Sequence, residues 1–276
     1  MSQEPKPPPE VLEYYALGGE QGRLDEDYFP LERVRTQELL LRRLPPPPAV
    51  VLDVGGGAGA YSFWLADLGY YVHLVDPVPL HIEQAQKATA GRTKGQLSST
   101  QVGDARALDH PSGGADVVLL LGPLYHLPEP ADRRAALGEA RRVLRNGGRL
   151  FAAGITRFAS LLDGLRGLLF EEPLFPAMVE RDLATGVHRN ETGRPDLFTT
   201  AFFHRPEELA AEVRAAELTL EGLYAIEGVG AMLPDFAARW KDPAHRETLL
   251  RFLRKVERES ALLGASPHIL AVARKP

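Results

Sequence analysis

The stretch "VLDVGGGAGAYSFWLADLGYYVHLVD", Val51 to Asp76, constrains this chain more than any other. An apolar run meets a glycine cluster, an amphipathic segment follows, and a second apolar run ends in an acid. Residues without a Cβ permit a sharp turn and let backbone N–H groups approach a ligand closely. The order therefore reads as strand, tight turn, helix, strand. Because the runs are continuously apolar rather than alternating, the strands belong to a parallel sheet covered on both faces.

The rhythm continues. "SSTQV", "DVVLLL" and "RLFAAGI" read as further strands, with helices starting near Ala60, Pro79 and Glu129 and a turn at Asn146, Gly147 and Gly148. After Ile155 it breaks into a long segment read as a helical lid plus loop, with an apolar helix face over the site and Arg166 or Glu171 toward solvent. "RPEELAAEVRAAEL" then reads as a helix and "TLEGLYAIEG" as a strand, with a helical insert near Leu233 to Leu263 and a last strand "HILAVARK". Upstream, "VLEYYALGGEQGRL" and "LERVRTQELLLRRL" read as helices, the second with Leu31, Val34, Leu41 and Leu44 on one face. Pro45 to Pro48 form a stiff spacer. The expected division is a disordered tail 1–10, a helical cap 11–48, a ligand-binding core 49–156, a lid 157–204 and a C-terminal part 205–276.

At 276 residues, 44% hydrophobic and 25% charged, the chain can bury a substantial core. A net charge of -5 argues against general attraction to nucleic acid or anionic membrane. The arginines of "DRRAALGEARRVLR" read as a solvated helix face, interrupted by Asp132 and Glu139. No cysteine is present, which removes disulfides, thiolate metal sites and cysteine nucleophiles. No histidine pair has a recognised ligand spacing, so no metal is expected. No apolar stretch is long enough for a bilayer or a signal peptide, which reads as a cytoplasmic protein. A homodimer is compatible with all of this.

Two cofactor classes use a strand–glycine–helix–strand unit. Asp53, two residues before Gly55, separates them: its carboxylate repels a dinucleotide's pyrophosphate but welcomes the α-ammonium of S-adenosylmethionine. The spacing of Gly55, Gly57 and Gly59 does not decide, since Ala60 is tolerated as the third position of a dinucleotide fingerprint. Asp76, closing the second strand, suits ribose hydroxyls in either class; a helix cap is its plain structural role.

The stretch resembles motif I of class I S-adenosylmethionine-dependent methyltransferases. "VGDARAL" resembles their adenine motif, "ADVVLLLGPLYHL" their fourth-strand motif, and "EARRVLRNGGRLFAA" their helix, turn and fifth strand, with Asn146 replacing the usual proline. "LGPLYHL" with a long lid is similar to bacterial small-molecule enzymes of the ubiquinone/menaquinone-biosynthesis type. The resemblance implies a Rossmann-like, doubly wound seven-stranded sheet whose last strand is antiparallel. It implies that Asp53 and the backbone of Gly55, Gly56, Gly57 and Gly59 hold the methionine part, and Asp76 the ribose. Pro77 would pack on adenine, Asp104 and Ala105 contact its edge, and Leu121 and Gly122 lie near the sulfonium.

The implied reaction is methyl transfer to a small-molecule acceptor at O, N or C, yielding S-adenosylhomocysteine. His126 is the candidate base, with a pocket-wall role as the plainer alternative. Tyr125, His188, Arg189 and His204, with Asn190 and Arg194 in the same glycine-bounded loop, are candidate acceptor contacts. Arg35 is the candidate for the cofactor carboxylate, and Tyr14 and Tyr15 for closing the pocket. The rival functions are a non-catalytic S-adenosylmethionine-binding module and an NAD(P)-dependent oxidoreductase.

Overall fold

Strand and helix alternate where the apolar runs require it. The computed structural model describes residues 7–26, 29–167 and 169–276. Helices α1 (Pro9–Ala16) and α2 (Phe29–Leu41) lead into β1 (Val50–Val54), α3 (Ala60–Asp67), β2 (Tyr71–Asp76), α4 (Pro79–Ala90), β3 (Ser99–Val102), β4 (Ala115–Leu120), α5 (Pro130–Val143) and β5 (Leu144–Thr156). The lid follows as α6 (Ala159–Gly167), α7 (Phe175–Thr185), β6 (Val187–His188) and β7 (Ala201–His204). The chain closes with α8 (Pro206–Ala215), β8 (Thr219–Ala225), α9 (Phe236–Lys241), α10 (Pro243–Val256) and β9 (His268–Arg274).

The sheet runs β3-β2-β1-β4-β5 in parallel. β9 then pairs antiparallel with both β5 and β8. These are the seven expected strands, with the last in sequence antiparallel. Two short strands in the lid were not anticipated: β6 and β7 form an antiparallel pair, and β7 adds to the far end of β5 at Ile155 and Thr156. The Asn146–Gly148 turn lies inside β5 as a bulge, where the register jumps from Ala115↔Leu144 to Val117↔Arg149.

Successive strand side chains take opposite faces, and the two cores follow that period. Leu52, Val54, Val118, Leu120, Leu150 and Ala152 pack against Ala136, Leu137 and Ala140 of α5 and Leu209 and Val213 of α8. Val51, Val117, Leu119, Phe151 and Ala153 pack on the other face against Leu39 and Leu40 of α2, Leu65 of α3 and Ile82 of α4. β1 pairs with both β2 and β4, so the connections diverge there and leave a crevice at the strand carboxyl ends, where ligands bind in this architecture.

The N-terminal reading needs correction. Residues 1–6 of the expected tail lie outside the described residues, while Pro9 and Glu10 already belong to α1. That helix stops at Ala16, before Gly18 with φ +79°. In α2 the buried face is Leu31, Glu32, Arg35, Thr36, Leu39 and Leu40, and Leu41 is 53% exposed. Apolar periodicity missed that face because three of its six residues are polar. The basic stretch on α5 is likewise not a solvated face throughout: Arg133 is buried, bonded to Glu212 and to the Leu127 and Pro128 carbonyls.

The lid holds itself together with Phe175, Met178, Val179 and Leu197. Arg166 and Glu171 are exposed, as expected. Buried Asp182 accepts from Ser160 Oγ (2.6 Å) and bonds His188 Nδ1 (2.8 Å), tying α6 and α7 to β6.

Candidate active site

A cavity of about 350 Å³ opens over the carboxyl ends of β1, β2, β4 and β5, a size suited to a small ligand. Its floor is the glycine turn. Gly55 has φ +69°, and a Cβ there would lie 2.7 Å from Pro123 Cγ; a Cβ on Gly56 would lie 2.6 Å from Asp53 Oδ2. Any larger residue at either position would fill the cradle or push the acid aside. Gly55, Gly56 and Gly57 line the cavity, whereas Gly59 does not; its φ of +95° starts α3.

Asp53 lies beneath that turn, 1% exposed. Oδ2 accepts from Ser62 Oγ at 2.6 Å, but Oδ1 is buried with no protein partner. Burial pushes the carboxyl up to about 6, the Ser62 hydrogen bond opposes this, and the Asp76 charge adds to it. An unsatisfied, desolvated carboxylate oxygen at a ligand cavity is a place for a cation, so the donor set fits the ammonium of S-adenosylmethionine. A diphosphate would add repulsion there.

Asp76 accepts from the Gly57 and Val78 N–H groups (2.8 and 2.9 Å) and bonds His81 Nδ1 (2.9 Å). It ties the glycine turn to the start of α4 while facing the cavity, so cap-like and ligand-facing placements coincide. His81 Nε2 is buried without a partner and its residue lines the cavity. Pro77, Asp104, Ala105, Leu121 and Gly122 line it as well. Asp104 makes an Asx turn, accepting from Arg106 N, and both its oxygens contact the Arg106 guanidinium (2.8 and 2.7 Å).

The roof is aromatic. Tyr14 and Tyr15 of α1 line the cavity, Tyr14 edge-on to Phe198 and Tyr15 edge-on to His81 and His126. His126 is 2.8 Å from Tyr15 Oη through Nε2, and its Nδ1 faces the Thr200 carbonyl at 3.4 Å. Facing a carbonyl, Nδ1 carries the proton, so Nε2 accepts from the tyrosine hydroxyl. Burial pushes this imidazole down to about 4, with the Thr200 contact and the Asp76 charge opposing. It is neutral near pH 7 and a weak proton acceptor, which suits a wall residue better than a base.

Several expected contacts fall elsewhere. Arg35 does not line the cavity: its guanidinium is fully buried against Glu38, Glu257 and the Ile226 carbonyl. The arginine at the cavity is Arg23, with Nη1 2.9 Å from Glu32 and Nε 3.1 Å from Glu20. His204 is buried behind the wall and bonds Glu212 at 3.2 Å. Arg189 is exposed and pairs with Glu10; Asn190 and Arg194 close the loop on itself. His188 lines the cavity, but both its nitrogens are engaged, by Asp182 and the Leu197 carbonyl, so only its ring faces the ligand space. Tyr125 does line it, its hydroxyl donating to the Leu121 carbonyl at 3.0 Å.

Sequence reasoning missed Arg23, Glu32, His81, Glu227 and His268. Only His81 carried a signal, one helical turn after the acid of β2. Glu32, Glu227 and His268 bring ligand-type atoms within 4.8 Å of one another. They are occupied as ion pairs: Arg23 bridges Glu32, and His268 Nδ1 lies 2.6 Å from Glu227 Oε1.

Residues 52–152 match the family described as "Methyltransferase domain". The chain is 32% identical over 189 residues to the ubiquinone biosynthesis O-methyltransferase of Xanthomonas oryzae, covering 65% of this chain and 66% of that one. It is also 32% identical over 191 residues to the corresponding Xylella fastidiosa protein, covering 67% and 66%. The match thus spans about two thirds of these curated relatives. In solved structures, the fold is shared with a SAM-dependent methyltransferase from Methanosarcina mazei (TM-score 0.59, 16% identity, covering 86% of this chain and 96% of that one). It is shared too with a geranyl diphosphate methyltransferase in complex with GPP and sinefungin (TM-score 0.58, 15% identity, covering 94% and 84%). The glycine cradle, its unsatisfied acid and these similarities agree, and the chain belongs to the class I S-adenosylmethionine-dependent methyltransferases.

Proposed function

We propose that this chain transfers the methyl group of S-adenosylmethionine to a small, largely apolar acceptor. The observation that carries the catalytic reading is the extent of the cavity. One space runs from Asp76 and Asp104 past the Leu121–Gly122 corner to Phe175, Phe198 and His268, which leaves room for a second molecule beside the cofactor. A binding module needs only the first half.

In this reading Asp53 and the backbone of Gly55, Gly56 and Gly57 hold the methionine part, and Asp76 with His81 the ribose. Pro77 packs on the adenine, with Asp104 and Ala105 at its edge. When bound, the sulfonium supplies an electrophilic methyl carbon. The chain's own task is to hold the acceptor in line behind that carbon, and orientation of this kind contributes on the order of 7–11 kcal/mol. Tyr14, Tyr15, Phe198 and the lid residue Phe175 exclude water from the two partners. Tyr125 and the His188 ring give the acceptor apolar surface, and His126 holds Tyr15 in place.

Residues 49–156 act as the cofactor core, 11–48 and 157–204 enclose the acceptor, and 205–276 complete the sheet. The reading includes a small-molecule rather than nucleic-acid partner, a cytoplasmic location, and a single chain or a homodimer. Among the described residues no helix is long and apolar enough to cross a membrane.

The test is calorimetric titration with S-adenosylhomocysteine, followed by incubation of methyl-labelled cofactor with fractionated metabolites. Binding together with label in a small molecule is expected. Binding with no labelled acceptor in any fraction would favour the module, and preference for NADH would overturn the cofactor.

A further inference from the structure

His268 is the group in the cavity that the reading above leaves without a task. It opens β9, and three bonds fix the carboxylate beside it. Glu227 Oε1 meets His268 Nδ1 at 2.6 Å, and Oε2 accepts from the His268 backbone N–H at 3.0 Å and from Ser266 Oγ at 2.9 Å. Glu227 itself is fully buried. With Nδ1 turned to this anchored acid, Nε2 points away from it. The residue lines the cavity and keeps 14% side-chain exposure. A buried carboxylate that engages one ring nitrogen of a cavity-lining histidine is an arrangement by which proteins make histidine hold a proton.

Its place is next to the reacting corner. The ring lies 6.3 Å from that of Tyr125, whose hydroxyl bonds the Leu121 carbonyl. The charged groups acting on it are Glu227 after β8, Glu32 of α2, and Arg23 before α2, with the Tyr125 ring an uncharged neighbour. Burial alone would lower this imidazole; the Glu227 and Glu32 charges outweigh it, against Arg23, and hold the group up at about 9. It is the opposite of His126, which the same cavity keeps neutral.

We propose that the Glu227–His268 pair is an acceptor-hydroxyl site, in which His268 Nε2–H binds the oxygen of a phenol- or enol-type acceptor as its anion. This rests on the methyl-transfer reading and deepens it by naming the acceptor class. A neutral acceptor loses its proton to solvent on binding against the imidazolium. The acceptor oxygen then forms its bond to the methyl carbon as the carbon–sulfur bond breaks, with that electron pair going to sulfur. Oxyanion and sulfonium charges cancel, and His268 keeps its proton throughout.

The experiment uses the full chain saturated with S-adenosylhomocysteine and 4-nitrophenol as probe, followed by its phenolate absorption band across pH. Bound probe should ionise about one pH unit or more below free probe, the size of shift one close cation produces. His268→Gln should abolish that shift, and Glu227→Gln should shrink it. Wild-type protein that binds the probe as the neutral phenol overturns the proposal, and so does an unchanged shift in either folded variant. A shift that requires added Mg²⁺ and vanishes with chelator also overturns it, in favour of a metal centre. Should the variants not fold, NMR titration of labelled histidine in the wild type decides: the probe must hold His268 protonated to higher pH, and no change sinks the idea. Cofactor binding is measured separately by calorimetry. Failure there with an ionised probe removes the cofactor reading alone, while cofactor binding with a neutral probe removes only this site.

Discussion

The two ends of the cavity are built on opposite principles. At the β1–β2 end, polar groups are left incomplete: Asp53 Oδ1 and His81 Nε2 are buried without partners. At the far end, Glu20, Arg23, Glu32, Glu227 and His268 complete one another in ion pairs. An end that leaves buried lone pairs unmet costs stability until a ligand arrives. An end that pairs its charges holds the protein together, and in the proposed reading it offers the acceptor His268 Nε2. Unmet and paired polar groups are therefore kept on different walls of one space.

The sharpest way to break this contrast is Glu227→Ala. It strands a buried imidazolium beside Arg23 and should cost about 3–5 kcal/mol of stability, read from the denaturant midpoint. A loss below 1 kcal/mol would mean the far wall is not holding charge in pairs. Asp53→Asn should do the reverse. Folding raises this carboxyl from 3.8 to about 6, so the folded state binds its proton more tightly than the unfolded chain. The group's favourable contribution is present below its ordinary value and fades as pH rises through about 6, a swing of about 2–3 kcal/mol. The amide should therefore stabilise the ligand-free protein at pH 7 while weakening S-adenosylhomocysteine binding at least about tenfold through the lost charge-assisted contact. A destabilised variant with intact affinity would invert the assignment.

Smaller effects refine the comparison. Asp76→Ala should weaken the same ligand by about 1–3 kcal/mol in calorimetry, since charged hydrogen bonds are lost. Unchanged affinity in a folded variant would leave Asp76 as a structural tie between the glycine turn and α4. Tyr15→Phe removes one hydrogen bond to neutral His126 and should cost about 1 kcal/mol in thermal unfolding. Burial keeps His126 unprotonated down to about pH 4, so its contribution, complete above its ordinary value, falls as pH drops through that window. A stability gap between Tyr15→Phe and wild type that widened on acidification would contradict this sign.

How far the sequence could be read follows the same division. Asp53, Gly55, Gly56, Gly57 and Asp76 stand within one strand–turn–helix–strand unit, and all five reach the cavity. His81 was within reach of the same logic. The loop of Arg189, Asn190 and Arg194 looked like an acceptor site because it concentrates polar residues between glycines. None of the three lines the cavity: Arg189 pairs with Glu10, Arg194 with Asp196 and Glu172, and Asn190 bonds the Arg194 and Phe198 carbonyls. Arg35 misled for a related reason: α2 was expected to bury an apolar stripe, and it buries Glu32, Arg35 and Thr36 along with Leu31, Leu39 and Leu40.

The sequence by itself determined the doubly wound sheet, the antiparallel last strand and the cofactor end. The strand–helix alternation and the cofactor end depend on hydrophobic period and turn chemistry between residues close along the chain, whereas the antiparallel last strand was implied by the family resemblance. Only the tertiary structure decided the acceptor end. Glu32 meets Glu227 and His268 across roughly two hundred residues or more of chain, and nothing local marks a histidine at the start of a buried strand. Proximity between such groups is created by sheet order and helix packing, and with it the burial that keeps His126 neutral and the carboxylates that keep His268 charged.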